Sequence, residues 1–382
     1  MIEALRRMRD EEGETHVFAV VRIGLGLLWL HEALYASRSL AEGFFRDRYF
    51  WPALPLALLP GRSLFAALVA LRLPLALLTL VGWRARPALL ASALIELYTL
   101  LADRLAFHNY RYTLALFTLL LALAPCTNEL VLLRKRGARP SGLPAQESSE
   151  GSLNRLVGAQ QAEPAQGQLL WTRSLAQIQV ALMYLASGGS KLLDPDWRQG
   201  RVISDGITRF RGVALARGAP SWALDFLARP EVSATLAHGA IGSELFLAVG
   251  LLVPRLRALA LWWGVWFHLL IQGTTSVAIF TWLMLLVYAL FALPATGERQ
   301  LIFDPTRRRD RALRLFVRAI DWLARFTARP RAGAAFTVVD RDGRRRVGAG
   351  ALAGIARATP ILFPAWLPLE VVARLARSSN AD

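Results

Sequence analysis

The sequence predicts an all-α polytopic membrane helix bundle of about eight spans, followed by a small α/β cytoplasmic tail. Two features of its composition lead to this prediction. Apolar residues make up 54% of the 382 residues and are gathered into long runs, whereas charged residues make up only 19%. The last part of the chain is instead polar and rich in arginine. Soluble domains are about 45–50% apolar and about 25% charged, so an ordinary soluble enzyme and a disordered chain are both excluded.

The long apolar runs predict the individual spans. Crossing a hydrocarbon core of about 30 Å takes roughly 17–25 mainly apolar residues in a helix. The runs that approach this length lie near 17–37, 64–82, 87–104, 111–132, 174–191, 233–253, 256–271 and 276–293. The Pro-broken segment 44–60 is predicted to be re-entrant or interfacial. Basic residues in the short loops favour a cytoplasmic N-terminus and a cytoplasmic tail, in a multi-pass protein of a bacterial inner membrane.

These spans divide the chain into three parts. Residues 1–16 are a cytoplasmic N-terminus, residues 17–296 a transmembrane domain, and residues 297–382 the tail. Within the second part, the Gly-, Pro-, Ser- and Gln-rich segment 137–168 predicts a flexible linker. In the tail, LIFDP and AAFTVVDRDGRRRVG predict strands, and RALRLFVRAIDWLARF has helical spacing.

The net charge of +17 and the cysteine count limit the partners and metals. Basic cytoplasmic loops and anionic lipid headgroups account for the charge, and no interleaved aromatic motif indicates nucleic acid. Cys126 is the only cysteine, which excludes a disulfide framework within this chain and an all-cysteine zinc site. The histidine spacings do not form a strong zinc motif, so no metal is predicted.

Imidazole and charged side chains inside a bilayer are costly, which makes each of them a candidate functional residue. Four of the five histidines lie in or beside predicted spans: His31, His108, His238 and His268. The alternative for each is a histidine that forms a structural hydrogen bond between helices. The segment FHNYRY places His108, Asn109 and Tyr110 at a membrane boundary, where an interfacial aromatic belt is the alternative.

Lys191 ends the predicted span 174–191 and is the most informative residue of this kind. Gln177, Tyr184 and Lys191 are seven residues apart and therefore share one helix face. The chain contains only two lysines, Lys135 and Lys191, so 45 − 2 = 43 of its basic residues are arginines. A lysine here indicates an amine that can lose its proton and act as a base, which arginine cannot do. A lysine that snorkels at the membrane edge is the alternative.

Glu96 and Asp103 lie seven residues apart on one face of the third predicted span. We expect them to form a structural ion pair with Arg104 or Arg72 rather than to act as general acids.

The segment around Lys191 resembles a known family. YLASGGSKLLDPDWRQG is similar to the part of vitamin K-dependent gamma-glutamyl carboxylases in which a lysine precedes a leucine, acidic residues and Trp-x-x-Gly. HNYRY resembles the family's Asn-His-x-Tyr segment with the first two residues exchanged. LAHGAIGSELFLAVGLL and VWFHLLIQGTTSVAIFTWLMLL resemble its two later histidine-bearing spans. Over roughly residues 12–295 the chain thus resembles the horizontally transferred transmembrane (HTTM) domain family, which includes the carboxylase.

The resemblance implies an activity of the lyase or monooxygenase type. A lysine in the membrane deprotonates a reduced naphthoquinone (reduced vitamin K or menaquinone), and oxygen adds. The resulting strong base removes a proton from a glutamate gamma carbon, carbon dioxide adds there, and the quinone leaves as its epoxide. In this sequence the resemblance implies Lys191 as the base, with His108 and Asn109 in proton handling or carbanion stabilisation. The implied quinone-binding residues are Asn109, Tyr110, Tyr184, Trp197, His238 and His268.

The tail resembles a second family, the DCC-type thiol–disulfide oxidoreductases. IFDPTRRRD aligns Asp304 with the aspartate of Asp-x-x-Cys-x-x-Cys, which places Arg307 and Asp310 where the cysteines belong. Dithiol exchange needs thiols, so the resemblance implies a redox-inactive docking or stabilising module.

The main alternative to an enzyme is a non-catalytic lipid or quinone binder, or a membrane scaffold whose tail recruits a redox partner. A transporter is a third hypothesis. The expected partners are membrane lipids, a lipid-soluble quinone and a protein partner of the tail, with no nucleic acid.

Overall fold

The structure is a computed structural model, and it describes residues 12–13, 16–42, 52–102, 108–126, 168–216, 218–274, 278–291, 297 and 299–378. The predicted linker 137–168 lies outside the described residues except for its last residue. Asp103, Arg104 and part of the segment 44–60 also lie outside them.

The first half of the bundle contains four helices after a short strand, β1 (Glu12–Gly13). The helices are α1 (His16–Ala41), α2 (Arg62–Val81), α3 (Ala85–Ala102) and α4 (Asn109–Leu123). A 3-10 turn, Leu56–Leu58, precedes α2. Consecutive helices of this half pack side by side, even though about 20 residues separate α1 from α2. Gly82 ends α2 with φ 83°, and a Cβ there would lie 2.7 Å from an Arg22 guanidinium nitrogen, so only glycine fits.

The second half begins with β2 (Gln168–Leu169), which pairs antiparallel with β1. It continues with α5 (Trp171–Leu193), α6 (Pro195–Arg198), α7 (Arg201–Ala216), α8 (Ser221–Leu227), α9 (Pro230–Gly250), α10 (Arg257–Thr274) and α11 (Ala278–Val287). A 3-10 segment, Tyr288–Phe291, follows α11. Helix α5 packs extensively against α9, and this contact builds the candidate site.

One apolar core joins the two halves. Buried Trp29 and Leu25 of α1 belong to the same cluster as Leu247 of α9 and Leu283 of α11. The Trp29 indole donates a hydrogen bond of 2.9 Å to Thr118 Oγ1 of α4, which satisfies the one polar atom of that buried ring. Burial of these large side chains on both halves indicates a single helix bundle.

The prediction of a helical membrane bundle with a small α/β tail is confirmed. A described helix occupies each of the eight predicted runs. Among the described residues, four helices (α1, α2, α3 and α9) are long and apolar enough to cross a bilayer by themselves. Length and composition therefore support four of the roughly eight predicted spans among the described residues. The other helices are short, as in α4 and α11, or carry polar and small residues, as in α5.

The tail forms a four-stranded sheet with helices. Its elements are β3 (Arg299–Phe303), α12 (Arg308–Ile320), β4 (Phe326–Pro330), β5 (Thr337–Val339), β6 (Arg345–Val347), α13 (Ala349–Ala358), a 3-10 turn (Phe363–Ala365) and α14 (Trp366–Ser378). The strand order is β4-β3-β5-β6, with β3 and β4 parallel and the other pairs antiparallel. The strands predicted at LIFDP and AAFTVVDRDGRRRVG are confirmed. Strand β4 was not predicted.

The tail is attached to the bundle by specific contacts. Leu323 belongs to the apolar core of the bundle, and the His16 ring donates a hydrogen bond of 3.0 Å to the Trp322 carbonyl. On another side, the Trp262 indole of α10 donates a hydrogen bond of 2.8 Å to the Pro364 carbonyl. The tail therefore packs directly on the helices.

Candidate functional site

Lys191 lies in the last turn of α5 and forms an ion pair with Glu244 of α9. Its Nζ donates hydrogen bonds to both carboxylate oxygens of Glu244, at 2.6 and 2.7 Å, and to Ser187 Oγ at 2.6 Å. The Trp197 ring covers the ammonium group, with 5.0 Å between Nζ and the ring centroid. We call Lys191 and Glu244 the lysine pair.

The sequence after Lys191 explains how Trp197 reaches it. Asp194 ends α5 and caps α6, because its carboxylate accepts a hydrogen bond from the Asp196 amide, and Pro195 occupies the first helical position. The chain thus turns back within three residues. Gly200 then has φ 74°, and a Cβ there would lie 2.3 Å from the Ala234 amide nitrogen of α9. Only glycine allows this approach, which fixes the turn that carries Trp197.

Small residues allow the two helices of the lysine pair to approach each other. A Cβ on Gly188 of α5 would lie 3.0 Å from the Leu245 side chain and 3.2 Å from Glu244 Cβ. A larger residue at 188 would therefore push α9 outward and lengthen the contact to Lys191. This is the close helix approach that small residues provide in membrane bundles.

The lysine pair is largely enclosed, with 19% of the Lys191 side chain and 10% of the Glu244 side chain exposed. Electrostatic interactions are stronger in such surroundings than in water. An ammonium group and a carboxylate at hydrogen-bond distance can exchange one proton without further movement. The arrangement therefore places a proton donor and a proton acceptor in contact at a site that remains partly exposed.

One helical turn below Gly188, Tyr184 forms a buried polar cluster with two residues from other segments. Its hydroxyl lies 2.5 Å from His268 Nε2 of α10 and 2.5 Å from the Tyr288 hydroxyl. Gly264 leaves room for Tyr288, since a Cβ there would lie 2.3 Å from the Tyr288 hydroxyl. The other ring nitrogen of His268 is buried and has no hydrogen-bond partner among the described residues. A buried nitrogen of this kind is a candidate contact for a ligand.

Gln177 lies deeper on the same helix face. It is buried and donates a hydrogen bond of 2.7 Å to the Leu290 carbonyl. The predicted shared face of Gln177, Tyr184 and Lys191 is confirmed: each side chain contacts another helix or the segment Tyr288–Phe291.

The other predicted site residues lie elsewhere in the fold. His108 precedes α4 and is exposed, as is Asn109, and the His108 ring stacks on Tyr110 with centroids 5.6 Å apart. The end of α4 and the start of α5 line one small apolar cavity. The described contacts do not join His108 to Lys191.

His238 of α9 is also exposed. Its Nδ1 donates a hydrogen bond of 2.7 Å to the Ala234 carbonyl one turn earlier on the same helix. It does not contact the lysine pair among the described interactions.

A second ion cluster lies in the first half of the bundle. Glu96 of α3 forms an ion pair with Arg72 of α2 at 2.8 Å. It also accepts a hydrogen bond from Arg111 of α4 at 2.5 Å. The predicted pair of Glu96 with Arg72 is confirmed. Buried Glu32 of α1, beside His31, interacts electrostatically with Glu96 and Arg111. We call Arg72, Glu96 and Arg111 the arginine cluster.

In the tail, the residues aligned with the DCC motif form a closed hydrogen-bond network. Asp304 is buried at the end of β3, where its carboxylate accepts hydrogen bonds from the Thr306 hydroxyl, the Thr306 amide and the Gly333 amide. These bonds, those from Thr306 foremost, lower the pKa of the Asp304 carboxyl below its ordinary value. Asp310 accepts a hydrogen bond from the Asp304 amide, and Arg307 lies beside the Asp304 carboxylate.

Sequence reasoning missed Glu244, Ser187 and Tyr288. Glu244 could have been found, because it is a lone carboxylate within the apolar run 233–253 and ionisable residues in spans are functional candidates by default. Ser187 and Tyr288 gave no such signal, since hydroxyl groups are common in membrane helices.

Residues 150–295 match the HTTM domain family. Comparisons with curated proteins and with solved structures give no match. The matched segment contains the lysine pair, Trp197, Tyr184 and His268. The arginine cluster and His108 lie before it.

Proposed function

We propose that this membrane protein, which contains an HTTM domain at residues 150–295, is a carboxylase-like enzyme of a bacterial inner membrane. Its substrate would be a reduced, lipid-soluble naphthoquinone, and Lys191 would act as the base. The observation that carries the proposal is the position of Lys191 Nζ, which is held between both oxygens of Glu244 and Ser187 Oγ beneath the Trp197 ring.

Two features support a flat aromatic ligand with hydroxyl groups. Trp197 offers a half-buried ring, and His268 offers a buried nitrogen that has no hydrogen-bond partner among the described residues. Leu192 and Leu193 are exposed next to Lys191, so the lysine pair lies beside a surface that lipid can cover. A ligand dissolved in the bilayer could reach this edge without passing through water. Reduced vitamin K or menaquinone would supply the acidic hydroxyl and the reaction with oxygen.

The residues of the chain have distinct roles in this proposal. Glu244 would accept a proton from Lys191, which leaves a neutral amine that can take a proton from the ligand hydroxyl. Ser187 would keep Nζ in place during this exchange, and Trp197 would exclude water from it. Tyr184 and His268 would bind the ligand's second oxygen. His108 and Asn109 enter the proposal through the family resemblance.

A non-catalytic quinone or lipid binder is the second candidate. The same contacts favour it, because Lys191 has three hydrogen-bond acceptors and Glu244 balances its charge. In a binder the lysine pair would hold α5 against α9 and orient a ligand without exchanging protons.

An assay of oxygen-dependent turnover tests the proposal. The protein would be purified in detergent with its lipids and supplied with reduced menaquinone or reduced vitamin K, and the epoxide would be measured. We expect epoxide from the wild type and a decrease of at least about 100-fold in Lys191→Ala, the range for loss of a general base. Lys135→Ala is the matched control, because it removes the only other lysine, and it should retain wild-type turnover.

The outcomes separate the two candidates. Absence of epoxide from folded wild-type protein with both quinones would contradict the enzyme proposal. Saturable quinone binding under those conditions, lost in Lys191→Ala, would instead support the binder. Elution on gel filtration and thermal unfolding would show that each variant is folded.

A further inference from the structure

Helix α14 at the end of the tail carries an exposed apolar face. Pro368, Val371, Val372 and Leu375 are exposed, and their spacing of three, four and seven residues places them on one side of the helix. Val371 and Val372 are each 53% exposed. On the opposite side, Trp366 and Ala373 are buried against the tail. Such a surface is unfavourable in water, so the structure requires something to cover it.

The position of this helix identifies what covers it. The Pro364 carbonyl, just before α14, accepts hydrogen bonds from the indoles of Trp262 at 2.8 Å and Trp266 at 3.3 Å, both on α10. Helix α10 begins at Arg257 and rises about 1.5 Å per residue. The two tryptophans therefore lie about 7–14 Å from its first residue along the helix axis. Helix α10 packs against α9, which is long and apolar enough to cross a bilayer. The start of α14 therefore packs against a helix of the bundle beside two tryptophans, a residue type enriched at membrane interfaces.

The neighbouring surface is also apolar. Trp266 is 47% exposed beside Pro364, and Ile361, three residues before Pro364, is 53% exposed. The start of α14 thus lies beside exposed apolar side chains of both the bundle and the tail. A basic group borders the apolar face of α14, since Arg374 is exposed at its edge, whereas the Arg357 guanidinium lies over the Trp366 ring on the buried side. An amphipathic helix with an arginine at its border is typical of the boundary between headgroups and acyl chains.

We infer that residues 361–376 form an interfacial membrane anchor, in which the apolar face of α14 is covered by the acyl-chain boundary of the bilayer and its arginines contact anionic headgroups. The tail is then fixed to the membrane at a second place, besides the end of α11. Its sheet is held to this anchor, because Arg346 of β6 forms an ion pair with Glu370 of α14 at 2.8 Å. The inference does not depend on the proposed enzyme activity.

Spin labelling tests the anchor in the full-length protein. Cys126 is buried, so single cysteines introduced at Val371, Val372 and Arg341 can be labelled selectively. The protein would be placed in nanodiscs of zwitterionic and anionic lipid, and collisions with oxygen and with a water-soluble nickel chelate would be compared. At 371 and 372 we expect oxygen accessibility to exceed nickel accessibility by at least several-fold. At Arg341, in the exposed turn between β5 and β6, the order should be reversed.

Two results would overturn the inference. Nickel accessibility at 371 and 372 equal to that at 341 would show that water covers the face. Protection from both reagents would show that a protein, either a second copy or another partner, covers it.

A second measurement does not depend on the labels. Val372→Asp should increase the initial rate of tryptic cleavage within the tail several-fold in nanodiscs, because the anchor would be released. Arg341→Asp is the matched surface control and should leave the rate unchanged apart from the lost cleavage site. Equal cleavage rates in Val372→Asp and wild type would contradict the anchor.

Discussion

The lysine pair and the arginine cluster both place a carboxylate of one apolar helix against cations of its neighbours, but they differ in cation and in exposure. In the arginine cluster, Glu96 is 2% exposed, Arg72 5% and Arg111 18%, and both cations are guanidinium groups. In the lysine pair the cation is an amine, Trp197 covers it, and the pair lies at the edge of the bundle. Arginine stays protonated in proteins, whereas lysine can give up its proton. The comparison indicates that a buried carboxylate held by arginines suits the association of helices. A more exposed carboxylate held by a lysine suits proton transfer.

The largest effect on stability should come from Glu96→Gln. This change leaves buried Arg72 and partly buried Arg111 without their carboxylate, and breaking a buried ion pair costs about 3–5 kcal/mol. Thermal unfolding in detergent should show a large decrease in Tm. Glu42→Gln is the control, because Glu42 pairs with exposed Arg38 and such pairs contribute about 0–1 kcal/mol. Equal decreases in the two variants would contradict the structural role of the arginine cluster.

Tyr184→Phe should have the next largest effect. It removes the hydroxyl that contacts both His268 and Tyr288, and leaving buried polar groups unsatisfied costs about 1–3 kcal/mol. The free energy of unfolding of Tyr184→Phe and Tyr98→Phe would be compared, since the half-buried Tyr98 donates a solvent-exposed hydrogen bond to the Leu58 carbonyl. A decrease no greater than that of Tyr98→Phe would show that the buried cluster does not stabilise the bundle.

Glu244→Gln sharpens the comparison between the two ion clusters. Lys191 lies at the bundle edge and can extend toward the membrane surface, so we expect a loss of about 1 kcal/mol or less in unfolding free energy. Turnover, by contrast, should fall at least about 100-fold, because the proton acceptor is lost. Parallel unfolding and turnover measurements check this. A stability loss as large as that of Glu96→Gln would indicate that the lysine pair is mainly structural.

The smallest effect concerns the tail and depends on pH. The pKa of Asp304 is lowered in the folded protein, so its contribution to stability is present above the unfolded pKa of about 3.9 and is lost as pH falls through the folded value. We would monitor unfolding of the tail through its sensitivity to protease between about pH 5 and pH 3. In wild type this sensitivity should increase as the pH falls, most steeply at the acid end. Asp304→Asn should show a weaker dependence. Identical pH profiles would contradict the assigned network.

The sequence predicted the bundle because membrane helices carry a strong composition signal, and it predicted the shared face of Gln177, Tyr184 and Lys191 because spacing defines a face. It could not predict that Glu244 faces Lys191, since that depends on which helices are neighbours. For the same reason the position of His108 relative to Lys191 could not be derived. Strand β4 was missed because FTARP pairs in parallel at a sheet edge, where arginine and proline are tolerated and no alternation is needed.

The central claim is that Lys191 acts through its proton rather than through its charge, and Lys191→Arg tests it most directly. Arginine keeps the positive charge and can still bind both oxygens of Glu244, but it cannot act as a base. We predict that Lys191→Arg retains a Tm near that of wild type and loses epoxide formation at least about 100-fold. Turnover close to wild type in a folded Lys191→Arg protein would contradict the claim.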